Sequence, residues 1–359
     1  MKKILILYTS VGEGHKKIAE NIGAVLSADY EVDLVDTLHL EKGKLVDKGA
    51  GLYLWILNRA PWLWDFFYNN KLFLKLTLPL RVSVAGLRSK KALNLIRQKK
   101  YDIVLTTQVN PSAIVSYLKK KKLFMGKFVI AFSDYHLHPY WVFKNADLFL
   151  ANIKEQKEEM QGMGIPESKI AVCGITLKPK QKFSLPQIKE KLKIGEEDMV
   201  VLFSGGSLGV YLKKAEIEKL RGKNIKIIIV CGKNKKLFEN MREYYSGSAD
   251  VAVFGYYNNM EELYAVADIL VGKPGGLTVA ECLRFRLPMQ INACMPGQEK
   301  LNYKYLLSKN LVMPLVPDIS VEIKGELESK KFRNQLGNNP ALAEIFKDES
   351  VIKDAFAKL

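Results

Sequence analysis

One segment, residues 255–302, constrains the fold more than any other part of this sequence. A short apolar strand pattern at 268–272 runs into a Pro-Gly-Gly turn at 274–276, and a helical pattern follows. Glycines permit a tight turn and let the backbone approach a ligand closely. Thr278 and Glu281 have the spacing of a capping box, which predicts that the helix starts near Thr278. Such a helix presents backbone N–H groups and a positive dipole end to an anion such as a diphosphate.

A second polar cluster follows the next predicted strand, at 288–293. It contains Gln298 and Glu299, whose side chains suit the hydroxyl groups of a sugar. Glu281 is a candidate for binding a ribose, because a carboxylate accepts hydrogen bonds from both ribose hydroxyls. The segment therefore predicts a nucleotide-sugar site, in which one half holds the diphosphate and the other half holds the sugar.

Short apolar runs alternate with helical patterns along the whole chain, which predicts two parallel sheets covered on both faces. The predicted strands are 3–9, 31–36, 103–107, 128–132 and 148–151 in the first half, and 200–203, 225–230, 251–254, 269–271 and 289–292 in the second. The predicted helices are 15–27, one within 49–68, 87–98, 111–120, 212–220, 237–245, 260–267, 278–285 and 298–309. A polar connection at 176–186, which contains Pro179 and several lysines, predicts the boundary between an N-terminal domain, 1–175, and a C-terminal domain, 176–339.

The composition fits a globular protein of two domains, with 359 residues of which 48% are hydrophobic. The four cysteines form no CxxC pair, and most lie in or beside apolar segments, which indicates reduced core residues rather than a metal site. The apolar run that follows Lys2 and Lys3 is short and leads into a glycine-rich loop, so we expect a buried strand there and not a signal peptide.

The positive charge of the chain is concentrated in one region. The net charge is +17, and residues 39–130 carry 18 Lys or Arg against four Asp or Glu, so this region alone contributes 18 − 4 = +14. Its aromatic residues are Tyr53, Trp55, Trp62, Trp64, Phe66, Phe67, Tyr68 and Phe73. Basic residues mixed with aromatic and aliphatic ones suit an anionic membrane interface. The alternative is that the basic residues form a solvated helical face and that the aromatic residues belong to the core. We expect no nucleic acid partner, because the sequence contains no nucleic-acid-binding motif.

Titratable residues follow two predicted strands of the first half, where sites of open α/β sheets lie. His15 comes after Gly14 and is a candidate general base or an orienter of an acceptor hydroxyl, although it can also be a solvent-facing residue of a helix start. Asp134 and His138 follow the strand at 128–132, and they can form either a catalytic site or a structural hydrogen-bonded cluster. His136, between them, is assigned no function.

Candidate phosphate-binding residues follow the strands of the second half. Gly206 and Ser207 lie in a Gly-Gly-Ser-Leu-Gly loop, whose small residues let the backbone approach a phosphate, although a simple turn has the same pattern. Lys233 follows the next strand and can neutralise a diphosphate or face solvent. Tyr256 and Tyr257 follow the strand at 251–254, where their side chains can also simply pack.

Five motifs, taken in order, resemble those of the processive diacylglycerol glycosyltransferases and monogalactosyldiacylglycerol synthases, which are related to the lipid II-forming N-acetylglucosaminyltransferase. In chain order they read ILILYTSVGEGHKKIAENI, FSDYHLHPYWVFKNADLFLAN, VLFSGGSLGV, IVCGKNKKL and KPGGLTVAE followed by PGQEKLN. Together they extend along nearly the whole chain. Glu13 stands where relatives usually have Gly, and the loop that contains Ser207 is nearer to that of the lipid II relative.

The resemblance implies an α/β protein with two Rossmann-like domains facing across a cleft, the glycosyltransferase B fold, in which the last helices, 340–359, pack back on the first domain. It implies an inverting enzyme that moves glucose or galactose from a UDP-sugar to a membrane lipid, with diacylglycerol favoured, at the cytoplasmic face of the membrane. No metal and no cofactor are implied, the UDP-sugar being a substrate, and the sequence has no DxD triplet. The sequence leaves the sugar, the number of sugars added and the oligomeric state open.

The resemblance also implies roles for individual residues. The catalytic residues are His15 and Asp134, and the acceptor-binding residues are Gly14, His138 and Trp141. The donor-binding residues are Gly206, Ser207, Lys233, Tyr257, Gly275, Gly276, Leu277, Thr278, Glu281, Gln298 and Glu299. Two alternatives stay open: an N-acetylglucosaminyltransferase that acts on a polyprenyl-diphosphate-linked acceptor, and a non-catalytic protein that binds a nucleotide sugar or a lipid.

Overall fold

The computed structural model describes residues 1–10, 13–40, 59, 61–222, 224–318 and 326–359, and these residues form two compact units. The first unit comprises Met1–Lys178, Met295–Leu301 and Ala343–Leu359, and the second comprises Pro179–Cys294 and Asn302–Leu342. The chain thus first passes from one unit to the other inside the polar connection at 176–186.

The first unit is built around a parallel sheet. Its described strands are β1 (Lys3–Tyr8), β2 (Glu31–Asp36), β3 (Ile103–Thr106), β4 (Lys127–Ala131), β5 (Leu148–Ala151) and β6 (Ile170–Val172). They pair in the order β2-β1-β3-β4-β5-β6, and all these pairings are parallel. Ile4, Leu5, Ile6 and Leu7 are all 0% exposed, which requires cover on both faces of the sheet and explains the continuous apolar runs.

Helices cover this sheet. Those described before the second unit are α1 (Glu13–Leu26), α2 (Thr37–Leu40), α3 (Pro61–Asn69), α4 (Lys71–Gly86), α5 (Ser89–Lys99), α6 (Val109–Lys120) and α7 (Lys154–Gly162). Helices α1 and α5 each bury one face and leave the other exposed, as amphipathic helices on a sheet do.

The second unit repeats this architecture with a smaller sheet. Its described strands are β7 (Met199–Ser204), β8 (Ile225–Val230), β9 (Val251–Phe254), β10 (Ile269–Gly272) and β11 (Met289–Ile291). They pair in parallel in the order β11-β10-β7-β8-β9. The helices that follow Pro179 are α8 (Leu185–Leu192), α9 (Lys214–Leu220), α10 (Lys235–Tyr244), α11 (Met260–Val266), α12 (Gly276–Arg284), α13 (Gln298–Ser308) and α14 (Glu326–Gly337). The chain ends with α15 (Ala341–Ile345) and α16 (Ser350–Ala357).

The ten predicted strands are all present, which confirms two parallel-sheet α/β domains, but β6 was not predicted. It has only three residues, too few for a recognisable apolar run. Helix α4 was also missed, because Pro79 lies in the middle of its sequence and proline usually interrupts a helix. Part of the helix predicted within 49–68 is present as α3, while residues 49–58 and 60, which include Tyr53 and Trp55, lie outside the described residues.

Because the strands are parallel, the loops at their carboxyl ends gather at one edge of each sheet. In the first unit this edge carries the start of α1 and the segment after β4. In the second unit it carries the loops after β7, β8 and β10. The predicted site residues of each unit therefore come from neighbouring strand ends. Among the described residues, no helix is long and apolar enough to cross a bilayer.

The C-terminal segment packs on the first unit. Helix α16 contacts β6 and α1, and the ring of Phe356 meets that of Tyr30 edge to face at a centroid distance of 6.0 Å. Gly174 follows β6 with φ +72°, and a methyl group on its Cα would lie 2.0 Å from the carbonyl oxygen of Ile345. Only glycine suits both this left-handed backbone and this close approach.

We expect Gly174→Ala to lower the free energy of unfolding by about 1–3 kcal/mol, because it combines an unfavourable backbone conformation with a clash against backbone. The measurement is urea denaturation followed by circular dichroism. Gly162→Ala is the matched control, since a methyl group there meets no atom within 4 Å among the described residues, and its stability should be unchanged or slightly higher. Equal stability of the two variants would contradict the packing of the C-terminal segment at Gly174.

Candidate functional site

His15 lies in the first turn of α1, just past the carboxyl end of β1. The residue is half-buried, but its Nδ1 atom is shielded from solvent and has no hydrogen-bond partner among the described residues. Its carbonyl oxygen accepts a hydrogen bond of 3.0 Å from Thr107 Oγ1, which ties α1 to the end of β3. Burial lowers the pKa of His15, and the negative charge of Asp134 only partly offsets this effect. The imidazole is therefore neutral at pH 7 and able to take a proton. Gly14, next to it, is the second residue of the same helix.

Asp134 is a buried carboxylate that several polar groups hold in place. Ser133 Oγ donates to its Oδ2 at 2.7 Å, and Gln298 Nε2 donates to the same oxygen at 2.5 Å. Asn152 Nδ2 and Gln156 Nε2 donate to its carbonyl oxygen at 2.9 and 2.8 Å. Both the backbone and the carboxylate of Asp134 are thus fixed. Sequence reasoning missed Asn152 and Gln156, which resemble any polar residues after a strand.

His136 and His138 both hold Tyr68, the penultimate residue of α3. The Tyr68 hydroxyl hydrogen-bonds to His136 Nε2 at 3.0 Å, and His138 Nε2 donates to the Tyr68 carbonyl oxygen at 2.9 Å. The other His138 nitrogen, Nδ1, accepts from the backbone N–H of Tyr140 at 3.2 Å. Burial lowers the pKa of His138 to about 4, so the ring stays neutral. Both His138 nitrogens therefore bind protein groups, and its predicted role in acceptor binding stays a prediction.

Trp141 packs beside this cluster. Its ring stacks on Phe132 at a centroid distance of 6.1 Å and lies 5.3 Å from the ring of His136. Its predicted contact with the acceptor likewise stays a prediction.

In the second unit, two loops approach each other closely. A methyl group on Gly232 would lie 2.5 Å from the carbonyl oxygen of Gly206 and 2.6 Å from that of Ser207, so only glycine fits there. The backbone N–H of Lys233 donates to the Ser207 carbonyl oxygen at 2.8 Å. The loops after β7 and β8 thus form one backbone-lined surface. The Lys233 side chain is exposed, and its Nζ lies 5.4 Å from the centre of the Tyr256 ring.

The turn after β10 leads directly into α12. The N-cap of this helix is Gly275, with no side-chain hydrogen bond, and the first backbone bond of the helix joins the Val279 N–H to the Gly275 carbonyl oxygen at 2.9 Å. The backbone N–H groups of Gly276, Leu277 and Thr278 therefore precede the hydrogen-bonded part of the helix and are suited to binding an anion.

The predicted capping box of Thr278 and Glu281 is wrong. The two glycines let the helix start two residues earlier, which places Thr278 inside the first turn. Glu281 Oε2 instead accepts a hydrogen bond of 3.0 Å from the hydroxyl of Tyr264, a buried residue of α11. Burial, followed by the charge of Glu281, raises the pKa of Tyr264 well above its usual value, so the phenol keeps its proton and donates. Sequence reasoning missed Tyr264, which reads as a core residue of an amphipathic helix.

Three further predicted donor residues bind protein groups. The Tyr257 hydroxyl donates to Glu262 at 2.7 Å and receives a hydrogen bond of 3.2 Å from Lys191 Nζ. Glu299 is buried, and its carboxylate accepts from the backbone N–H of Met295 at 2.9 Å. Gln298, the first residue of α13, donates to Asp134 as described above. The predicted contacts of Gln298 and Glu299 with a hexose stay predictions.

Two protein-family models match the chain. The model of monogalactosyldiacylglycerol (MGDG) synthase matches residues 15–177, and that of the glycosyltransferase family 28 C-terminal domain matches residues 200–293. The first match covers the half that contains His15 and Asp134, and the second covers the loops after β7, β8 and β10.

Curated relatives extend along most of the chain. A processive diacylglycerol beta-glucosyltransferase of Bacillus pumilus is 28% identical over 313 residues, covering 84% of this chain and 80% of the relative. One from Bacillus cytotoxicus is 25% identical over 356 residues, covering 97% of this chain and 90% of the relative. The enzyme of the same name from Bacillus subtilis is 25% identical over 316 residues, covering 85% of this chain and 81% of the relative.

Solved structures show the same fold at low sequence identity. MurG of Acinetobacter baumannii superposes with a TM-score of 0.63 at 14% identity, and each chain is fully covered. The Staphylococcus aureus MnaA structure with UDP gives a TM-score of 0.62 at 12% identity, covering 98% of this chain and 94% of that one. The Anabaena HepE complex with UDP-glucose gives a TM-score of 0.58 at 14% identity, covering 100% of this chain and 99% of that one. The predicted resemblance is thereby confirmed: the chain is a UDP-sugar hexosyltransferase with the glycosyltransferase B fold. Its first half matches the MGDG synthase model, part of its second half matches the family 28 C-terminal model, and most of its length is similar to processive diacylglycerol glucosyltransferases.

Proposed function

We propose that this protein transfers a hexose from UDP-glucose or UDP-galactose to the hydroxyl of a membrane lipid, with diacylglycerol as the favoured acceptor. The observation that carries this proposal is the neutral His15, whose Nδ1 is buried and unpartnered within the described residues, near the fixed carboxylate of Asp134. A binding protein has no need of such a base, whereas a glycosyltransferase does. The curated relatives are diacylglycerol glucosyltransferases by name, which supports the lipid acceptor.

The proposed reaction is a single displacement. The imidazole of His15 takes the proton of the acceptor hydroxyl, and the resulting oxygen attacks the anomeric carbon of the sugar. The bond from that carbon to the diphosphate oxygen breaks through an oxocarbenium-like state, and UDP leaves with the electron pair. Asp134 stabilises the protonated imidazole that forms. Attack from the face opposite the leaving group inverts the anomeric configuration.

The second unit holds the nucleotide of the donor in this proposal. Its diphosphate binds the backbone N–H groups at the start of α12 and the surface formed by the loops after β7 and β8, which stabilise the developing charge. The ribose binds Glu281, and the hexose binds Gln298 and Glu299. The proposal involves neither a metal ion nor a cofactor, since these backbone dipoles help to stabilise the negative charge of the diphosphate.

An exposed apolar stripe on α4 supports the proposed binding to a membrane. Its members recur every four residues, which places them on one helical face: Leu72 (67% exposed), Leu76 (64%), Leu80 (62%) and Val84 (57%). Exposed Lys75, Lys90 and Lys91 lie in or after this helix, and Trp62 is exposed on the preceding one. An apolar stripe among lysines fits the anionic cytoplasmic leaflet, and it supports lipid rather than nucleic acid as the partner of this basic region.

The substrates are tested by incubating the pure protein with labelled UDP-glucose, UDP-galactose or UDP-N-acetylglucosamine and mixed lipids that include diacylglycerol and polyprenyl diphosphates. Lipid extraction should recover labelled glucosyl- or galactosyldiacylglycerol. Label only on a polyprenyl diphosphate would replace the proposal with N-acetylglucosaminyl transfer. Binding of UDP with no labelled lipid would favour a non-catalytic protein.

The ribose assignment is tested with Glu281→Ala, which we expect to weaken UDP binding by about 1–3 kcal/mol through the loss of a charged hydrogen bond. Tyr264→Phe should weaken it less, because it only releases the Glu281 carboxylate that the phenol holds. Calorimetry measures both affinities. Tyr101→Phe is the control, as it removes a hydroxyl bonded to Asp33 in the first unit. Unchanged UDP affinity in a folded Glu281→Ala variant would remove the ribose assignment.

The base is tested with His15→Ala, which should lower turnover about 10²–10⁴-fold while UDP affinity stays nearly intact. In the unsubstituted protein the lowered pKa of His15 keeps the imidazole neutral, so kcat/KM should fall only when the pH drops below the ordinary histidine value of about 6.5. Near-normal turnover of His15→Ala would transfer the role of base to Asp134 or to water.

The membrane stripe is tested by sedimentation with vesicles. We expect more binding to anionic than to neutral vesicles, with only partial release by high salt, because salt screens the lysines and not the apolar contact. Replacing Leu76 and Leu80 together with Ser should lower the salt-resistant fraction about 10-fold or more. Met125→Ser is the control, since Met125 is 80% exposed and lies outside α4. Equal binding of the unsubstituted protein to both vesicle types would reject the electrostatic part of the proposal. An unchanged salt-resistant fraction in the Leu76 and Leu80 double variant would reject the role of the apolar stripe.

A further inference from the structure

Lys273 lies at the point where β10 ends and the Pro-Gly-Gly turn begins. The residue is half-buried, and its side chain runs between two glycine positions from different loops. A methyl group on Gly206 would lie 3.2 Å from its Cε and 4.0 Å from its Nζ. A methyl group on Gly275 would lie 3.9 Å from the same Nζ. The ammonium group therefore lies close to both loops at once.

Both of these loops present backbone to a ligand. Gly206 belongs to the loop after β7, and Gly275 is the N-cap of α12, whose first N–H groups suit an anion. Because neither glycine has a side chain, the Lys273 side chain can lie close to the backbone of both loops. An anion that binds the start of α12 thus comes within reach of Lys273.

We propose that Lys273 is the cation that binds the diphosphate of the sugar nucleotide, a role that the sequence suggested for Lys233. This inference rests on the proposed function, because it concerns the donor of that reaction. Lys273 supplies up to three donors to the phosphate oxygens. When the bond to the sugar breaks, the electron pair moves to the terminal phosphate oxygen of UDP, and the ammonium stabilises this added negative charge.

The position of Lys233 explains why the two lysines differ. Its backbone N–H is bonded to the Ser207 carbonyl oxygen, so its main chain helps to form the loop. Its side chain is exposed and lies near the outer Tyr256 ring, which is 43% exposed. A charge in such a solvated position is strongly screened, whereas a half-buried charge between two loops is screened much less.

The two lysines form a matched pair for the experiment. Calorimetry with UDP, UMP and uridine is carried out on the unsubstituted protein, Lys273→Gln and Lys233→Gln. We expect Lys273→Gln to weaken UDP binding about 10- to 100-fold, the loss expected for hydrogen bonds to a charged group, and to leave uridine binding unchanged. Lys233→Gln should change UDP affinity less than about threefold, because an exposed charge contributes little. The affinity of Lys273→Gln for UDP should also depend less on salt concentration.

The Lys273→Arg variant distinguishes an effect of losing the positive charge from an effect of unfolding. It keeps the positive charge and should restore most of the ratio of UDP to uridine affinity, and equal melting temperatures show that the variants are folded. This inference would be overturned if the ratio of UDP to uridine affinity were unchanged in folded Lys273→Gln, or if Lys233→Gln lost more UDP affinity than Lys273→Gln. Either result would leave the proposed function intact. If the unsubstituted protein binds uridine and UDP equally or not at all, the donor site itself is wrong, and both proposals fail.

Discussion

The parallel pairing of buried strands is the constraint on which the rest of the structure depends. Most strands of both sheets are buried on both faces, so helices must cover each side. Because the pairings are parallel, every described connection between neighbouring strands must cross over. Their carboxyl ends consequently lie at a single edge of each sheet. That edge is where the chain places glycines and polar side chains, and it explains how residues far apart in sequence come together within each unit.

Burial also determines the chemistry of the individual groups. The imidazole of His15 stays neutral because burial opposes its protonation more than the charge of Asp134 favours it. The phenol of Tyr264 stays protonated for the same reason and can therefore only donate to Glu281. In both cases the low polarity of the surroundings fixes the protonation state that the proposed role requires.

The sequence predicted the features that depend on local patterns. Apolar runs followed by glycine located the sheets and the loops after β7 and β10, and the cluster after β4 was identified by its titratable residues. The sequence did not predict which distant residues contact each other. The hydrogen bond from Gln298 to Asp134 joins residues 164 positions apart, and the one from Tyr264 to Glu281 joins two helices. The error at Thr278 has a local cause, since the flexibility of Gly275 and Gly276 moved the helix start.

The central claim is that one base-assisted displacement transfers the sugar to the lipid. It is tested most directly by the anomeric configuration of the product, measured by proton NMR on glycolipid made from an α-linked UDP-hexose and diacylglycerol. A single displacement with His15 as the base predicts a β-linked hexose. An α-linked hexose would require retention of configuration, and it would contradict the mechanism proposed for His15 and Asp134.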